Sequence, residues 1–286
     1  MMAYDSIAFN IITNESLDKL YSFNQLDMFL EYRRTGTTMT KGYGRMFGIE
    51  LESEKYQIYT DEGNEAAVNK IVASYPGDGP IIIMHTTAGW KYKEWDINKF
   101  KILAESLYNK YKAKIFIVGA PSEKLESTYV RNLCGLLSLR DMVALMKKAS
   151  LYIGADSGPL HLALAADCKI LAIFGCTCPA VVGFKETSNY IAIQSPYAGI
   201  VNCGFGECPM EVMAKREGRD YEYCTKRLSV DDVWHAAVEL LESNEPVREF
   251  RKGKNKCEIT YKDWEWFTTL LEGENPLDIC TYGENL

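Results

Sequence analysis

A mixed α/β fold built on a doubly wound parallel sheet is predicted by three observations. Short runs that are apolar throughout recur between residues 81 and 174, amphipathic helical patterns separate them, and the loops after the runs carry glycine, hydroxyl and charged residues. Strands that are apolar on both faces belong to a sheet covered on both sides, and their alternation with helices makes the sheet parallel.

The first strand is expected at Ile81-Ile82-Ile83-Met84-His85, entered from the turn-rich Pro76-Gly77-Asp78-Gly79-Pro80. Ile97 to Lys112 places Phe100, Leu103, Leu107 and Tyr111 at helical spacing, and Ile115 to Val118 follows as a strand ending in Gly119. Leu139 to Ala149 reads as a helix with Met142, Leu145 and Met146 on one side. Leu151 to Gly154 is the next strand, Pro159 to Ala166 a short helix of small residues, and Ile170 to Phe174 another apolar strand. Val230 to Leu241 closes the pattern as a helix, and Glu245-Pro246 ends it. Beyond lie a basic stretch from Arg248 to Lys256 and an aromatic one from Tyr261 to Leu271 that reads as one more helix. In the first 75 residues, Ser6 to Ile12 suits a strand and Glu15 to Tyr32 a helix, whereas Gly42, Gly44 and Gly48 read as turn chemistry. The expected organisation is an N-terminal α/β segment over 1–75, a linker over 76–80, the doubly wound domain over 81–245 and a partly helical tail over 246–286.

Ligands of a doubly wound sheet bind at the carboxyl ends of its strands, so the loops after Met84, Val118, Ile153 and Phe174 are where chemistry is expected. The first, from His85 to Trp95, offers Thr86, Thr87, Gly89, Lys91 and Lys93, hydroxyls and charge suited to a phosphate. The second holds Glu123, placed either to bind a ribose or to serve as a first-turn acid of a helix. The third, Gly154-Ala155-Asp156-Ser157-Gly158-Pro159-Leu160-His161, runs from a strand straight into a helix, with Ser157 as N-cap and Pro159 in the first turn. Its exposed amides suit a diphosphate, and His161 lies in the same turn. The fourth, Gly175-Cys176-Thr177-Cys178-Pro179, walls the same cleft.

The order strand, Thr86-Thr87-Ala88-Gly89-Trp90-Lys91-Tyr92-Lys93-Glu94-Trp95, helix, strand, Gly119 to Glu123, then Leu139-Arg140-Asp141, Asp156 to His161 and Phe174-Gly175 resembles the C-terminal domain of the family 9 glycosyltransferases, the heptosyltransferase group. The resemblance covers about residues 80 to 243. It implies a GT-B-like architecture, with a complete Rossmann-like C-terminal domain that binds a nucleotide-diphospho-sugar such as ADP-heptose, and a truncated N-terminal acceptor segment. Carried over by motif, Thr86, Thr87, Lys93, Asp156, Ser157, Gly158, Leu160 and His161 would hold the diphosphate and Glu123 the nucleoside; Lys93 suits the family's Lys-x-Trp pattern better than Lys91. The implied activity is sugar transfer to a glycan or protein acceptor, as in lipopolysaccharide biosynthesis, with no cofactor required. The alternative is a nucleotide-sugar-binding protein that does not catalyse or that needs a partner chain. Members open with a glycine-rich loop and an aspartate near a strand as general base; Asp5, Asp18 and Asp27 lack that setting, and no catalytic base is assigned.

A net charge of -7 argues against nucleic-acid partners, which need a concentrated basic face. No apolar run spans a bilayer and no signal peptide opens the chain, so a cytoplasmic protein is expected, as a single chain, a homo-oligomer or with a partner. Nine cysteines in such a chain do not suggest a disulfide framework. Cys134 and Cys168 read as packing residues. Cys203, Cys208 and Cys224, with Cys176 or Cys178, have the thiolates for a structural zinc or iron, and autotransporter heptosyltransferases are similar in carrying cysteine-bound iron near the same place.

Overall fold

The computed structural model describes residues 38–46, 48–75, 78–121, 125–175, 177, 179–182, 184, 186–195, 209–216, 218 and 223–253. Seven strands form one sheet: β1 (Ile81–His85), β2 (Lys114–Ile117), β3 (Arg131–Asn132), β4 (Leu151–Ala155), β5 (Ile170–Phe174), β6 (Tyr190–Gln194) and β7 (Arg248–Lys252). Every pairing is parallel and the spatial order is β3-β2-β1-β4-β5-β6-β7. Chain order reverses between β1 and β4, where Ile82 pairs with Leu151 and His85 with Gly154. That switch point opens a crevice beyond the carboxyl ends of the two strands.

The helices are α1 (Met39–Met46), α2 (Glu62–Ala73), α3 (Ile97–Tyr111), α4 (Leu139–Met146), α5 (Gly158–Ala166), α6 (Pro179–Val182), α7 (Pro209–Arg216) and α8 (Val230–Glu242). They cover both faces of the sheet. On one face Ile83, Phe116, Tyr152, Ala172 and Ala192 meet α4 and α5, and on the other Ile82, Met84, Ile115, Leu171 and Ile193 meet α3 and α8. Alternate residues of β1, β2, β4, β5 and β6 thus enter different cores, the reason these strands are largely apolar.

Caps set several helix ends. Asp96 accepts from the Asn98 amide to start α3, and Ser138 and Asp141 form a capping box on α4. α3 ends at Lys112, left-handed at φ 53°, which turns the chain at once into β2. Gly79 lies so close to this corner that a Cβ would stand 2.1 Å from the Lys112 carbonyl oxygen.

The expected strands at 81, 115, 151 and 170 and the helices that separate them are all present, with ends shifted by a few residues. β3, β6 and β7 add to the expected set, and β7 carries the sheet past residue 245, where the apolar pattern ends. The turn expected across Gly42 to Gly48 is corrected. Gly42 and Gly44 lie inside α1, and only Gly48, at φ 69°, turns the chain. Glycine is used at residue 44 because a Cβ there would meet the Ile49 carbonyl oxygen at 2.8 Å and Leu51 Cγ at 3.0 Å, as the chain folds back on its own helix. The elements expected at Ser6 to Ile12, Glu15 to Tyr32 and Tyr261 to Leu271 lie outside the described residues. No described helix is long and apolar enough to cross a membrane.

Candidate active site at the switch point

The loop after β1 and the turn after β4 face each other across the crevice, and one ion pair joins them. Lys93 Nζ stands 2.7 Å from Asp156 Oδ2, with both side chains largely shielded from solvent. Lys93 comes from a 3-10 turn, Lys91–Lys93, and four hydrogen bonds hold this turn and the residues after it to residues 225–228. Thr225 Oγ1 donates to the Tyr92 carbonyl (3.0 Å), Trp95 Nε1 donates to the Leu228 carbonyl (2.9 Å), and Lys99 Nζ bonds the carbonyls of Lys226 and Leu228. The Lys93 ammonium also lies 4.6 Å from the Trp90 ring centroid, within cation–π range. An amine so anchored holds its charge in one place.

The start of α5 is unobstructed. Ser157 occupies the N-cap position, but the expected cap is corrected: its side chain makes no cap hydrogen bond. Its hydroxyl pairs instead with His85 Nδ1 (3.0 Å) and donates to the Ala155 carbonyl (3.2 Å). The imidazole offers a better partner than the helix amides, because His85 ends β1 in direct register with Gly154. Pro159 has no N–H, and a Cβ on Gly158 would meet nothing within 4 Å. This helix N-terminus therefore presents positive partial charge to open space, the arrangement that binds phosphate.

Two polar atoms beside it are buried without a partner among the described residues, Thr86 Oγ1 and His161 Nδ1. Buried polar groups are nearly always satisfied, so these two mark where further hydrogen bonds are accepted or donated. Burial pushes the His161 imidazole below its ordinary range; nearby Asp156 pulls it up and Lys93 pushes it further down. Tyr56 packs against it with ring centroids 5.4 Å apart, and the Tyr56 hydroxyl donates to the Val182 carbonyl at 3.1 Å. Burial, the largest effect, raises the Tyr56 phenol above its ordinary range.

The structure thus brings Thr86, Thr87, Lys93, Asp156, Ser157, Gly158 and His161 to one crevice. Thr87 reaches His85 Nε2 at 3.5 Å, the limit of a hydrogen bond. Leu160 is placed differently: its side chain is fully buried in the core, leaving only its backbone to face a ligand. Glu123, Cys176, Cys178, Cys203 and Cys208 lie outside the described residues. Cys224 opens a 3-10 turn, Cys224–Arg227, and its carbonyl accepts from Ser195 Oγ at 2.6 Å. Among the described residues no group of three or more His, Cys, Asp or Glu side chains is placed to hold a metal.

Four residues at or beside the site have roles that the sequence did not assign, although His85 and Thr177 stand in loops expected to face the ligand. His85 reads as the end of an apolar strand, and Tyr56 lies in a segment without periodicity. Thr177 donates to Asp156 Oδ2 at 2.7 Å, and Gln194 Nε2 donates to the carbonyls of Gly175 (3.1 Å) and Thr177 (2.9 Å). Position alone puts Thr177 in the cleft wall; its bond to Asp156 is set by the fold.

Known proteins resemble this chain in sequence and fold. The chain is 26% identical over 155 residues to lipopolysaccharide heptosyltransferase 3 of Escherichia coli, covering 46% of each. It spans about half the length of the curated relatives it matches. Its fold superposes on the glycosyl transferase family 9 structure from Veillonella parvula DSM 2008 with a TM-score of 0.56 at 18% identity, over 73% of this chain and 61% of that one. The iron-containing dodecameric glycosyltransferase TibC from enterotoxigenic E. coli H10407 gives a TM-score of 0.54 at 16% identity, over 73% of this chain and 54% of TibC. The likeness shows a GT-B-like α/β fold. The profile of glycosyltransferase family 9 (heptosyltransferase) matches residues 37–201, more than half of the chain, and the chain belongs to that family.

Proposed function

We propose that the crevice between β1 and β4 binds a nucleotide-diphospho-sugar of the ADP-heptose type, and that the chain transfers the sugar to a glycan or protein acceptor. The observation that carries the reading is the unobstructed N-terminus of α5 beside the anchored Lys93 ammonium. In sugar transfer from a diphosphate, the bond between the anomeric carbon and the phosphate oxygen breaks, and negative charge grows on the departing diphosphate. Fixed positive charge aimed at that position stabilises the transition state more than the ground state. Lys93 and the amides of α5 supply it, while the hydroxyls of Thr86 and Thr87 are placed to donate to phosphate oxygens. Transfer on this scheme requires no cofactor.

Supporting the reading are the family itself and the partnerless Thr86 and His161 atoms beside the helix. The test is incubation of the purified chain with ADP-heptose and bacterial glycan or protein acceptors, read by mass spectrometry. Sugar addition to an acceptor is expected. ADP-heptose bound but never transferred, unless a second chain is added, identifies the partner-dependent alternative; neither binding nor transfer overturns the reading. The same preparation, assayed for iron and zinc by plasma mass spectrometry, decides whether the chain carries a structural metal, and loss of that metal in Cys224→Ser would assign it to the cysteines.

A further inference from the structure

Two donors converge on one oxygen at the centre of the crevice. Asp156 Oδ2 receives the Lys93 ammonium at 2.7 Å and the Thr177 hydroxyl, also at 2.7 Å. Thr177 is itself held from the neighbouring strand, β6. Gln194, the last residue of β6 and 5% exposed, donates through Nε2 to the carbonyls of Gly175 and Thr177, the two backbone groups that flank residue 176. Gly175 is tightly enclosed, since a Cβ there would stand 2.4 Å from Thr225 Cγ2 and 2.8 Å from the Tyr92 carbonyl oxygen. Gly175 and Thr177 are therefore held to β6, and Gly175 also packs against the turn that carries Lys93.

We infer that Thr177 and Gln194 are positioning residues of the donor site, setting the Asp156 carboxylate and through it the Lys93 ammonium. The inference rests on the diphosphate reading of the crevice. A carboxylate with a single partner follows that partner when it moves. Here the Thr177 hydroxyl fixes Asp156 independently of Lys93, so when phosphate oxygens approach the amine the carboxylate stays in place and the ammonium bridges two fixed anions. Without Thr177 the carboxylate is free to follow Lys93 and compete with the phosphate for it. Gln194 acts one step further out, by holding the Thr177 backbone at the distance its hydroxyl needs.

The test is calorimetric titration of the full chain with ADP, UDP and GDP, comparing wild type with Thr177→Val, Thr177→Ser and Gln194→Leu. Thr177→Val keeps the shape and removes the hydroxyl, and the best-bound nucleotide is expected to bind about tenfold more weakly, the scale of one hydrogen bond to a charged group. Thr177→Ser restores wild-type affinity, which a loss of packing alone does not explain, and Gln194→Leu weakens binding in the same direction. A double-mutant cycle with Asp156→Ala completes the experiment: the effect of Thr177→Val disappears once the carboxylate is gone. Wild-type affinity in folded Thr177→Val, or an undiminished Thr177→Val effect in the Asp156→Ala background, overturns the positioning role while leaving the diphosphate reading intact. A folded wild-type chain that binds none of the three nucleotides overturns both. Circular dichroism and thermal midpoints identify folded variants; if Gln194→Leu does not fold, Thr177→Val and Thr177→Ser still decide the outcome.

Discussion

At Lys93 and Asp156 the chain keeps two opposite charges 2.7 Å apart with side chains only 16% and 10% exposed. Removing one partner strands the other in a poorly solvated site, a loss of about 3 kcal/mol for buried pairs. Lys93→Met should therefore lower the thermal midpoint, and Lys93→Met combined with Asp156→Asn should regain part of it, since the stranded charge is then removed as well. His161 gives a pH dependence. Burial depresses its pKa below the ordinary 6.5, so between the folded and the unfolded values the unfolded chain holds more protons. Stability therefore declines as pH falls through the unfolded-state value. Thermal melts across this range should show a shallower decline in His161→Gln than in wild type. An equal slope would mean that His161 titrates alike in both states.

Among the elements, α2 and the segment before it are fastened along the outer surface of the sheet domain by polar contacts spaced along the chain. Glu186 accepts from Ser53 Oγ, Lys55 pairs with Asp167, Lys147 donates to Thr60, and Asn64 Nδ2 donates to Asp141 at 2.8 Å. Val68 joins the core beneath α2, fully buried. Asp141 therefore serves two elements, closing the capping box of α4 and receiving α2. Hydrogen bonds from Ser138 and then Asn64 hold its carboxyl below the ordinary carboxylate range. Their contribution is present above the unfolded-state pKa and lost as pH falls through the lower folded value. Ser138→Ala removes one arm of the box and should cost about 1 kcal/mol, measured by urea denaturation near neutral pH. No change in the denaturation midpoint would show that the cap is frayed in solution.

Over the whole molecule, legibility in the sequence follows burial. β1, β2, β4 and β5 lie inside the sheet, their residues enter two cores, and unbroken apolar runs announce them. β3 and β7 are the two edges. Arg131-Asn132 is short and polar, and Arg248 to Lys252 has Phe250 as its one apolar residue, so solvent contact removes the signal and invites a loop reading. Charged edges of this kind also discourage pairing with other chains. β6 is different: Tyr190-Ile-Ala-Ile-Gln194 carries an apolar run as clear as that of β5, and its signal was available. The ligand-facing loops were legible through strand-end position and motif. The contacts that arrange them, from Gln194 through Thr177 to Asp156 and from Thr225 to Tyr92, join residues 17 to 133 positions apart. Local pattern holds no trace of such pairs, because only the closed sheet brings them together.

The account's central claim is that the start of α5 receives a diphosphate, and Gly158→Ala tests it with least disturbance to the fold. The added methyl meets no protein atom within 4 Å, and replacing glycine by alanine at an unstrained position stabilises by about 0.4–1 kcal/mol. The decisive measurement is calorimetric titration of wild type and Gly158→Ala with ADP-heptose, alongside their thermal midpoints. Wild type is expected to bind, and the variant to bind at least tenfold more weakly with a thermal midpoint that is equal or higher, because a phosphate loses its approach to the helix amides. Equal affinity in the two proteins would contradict it and place the donor elsewhere.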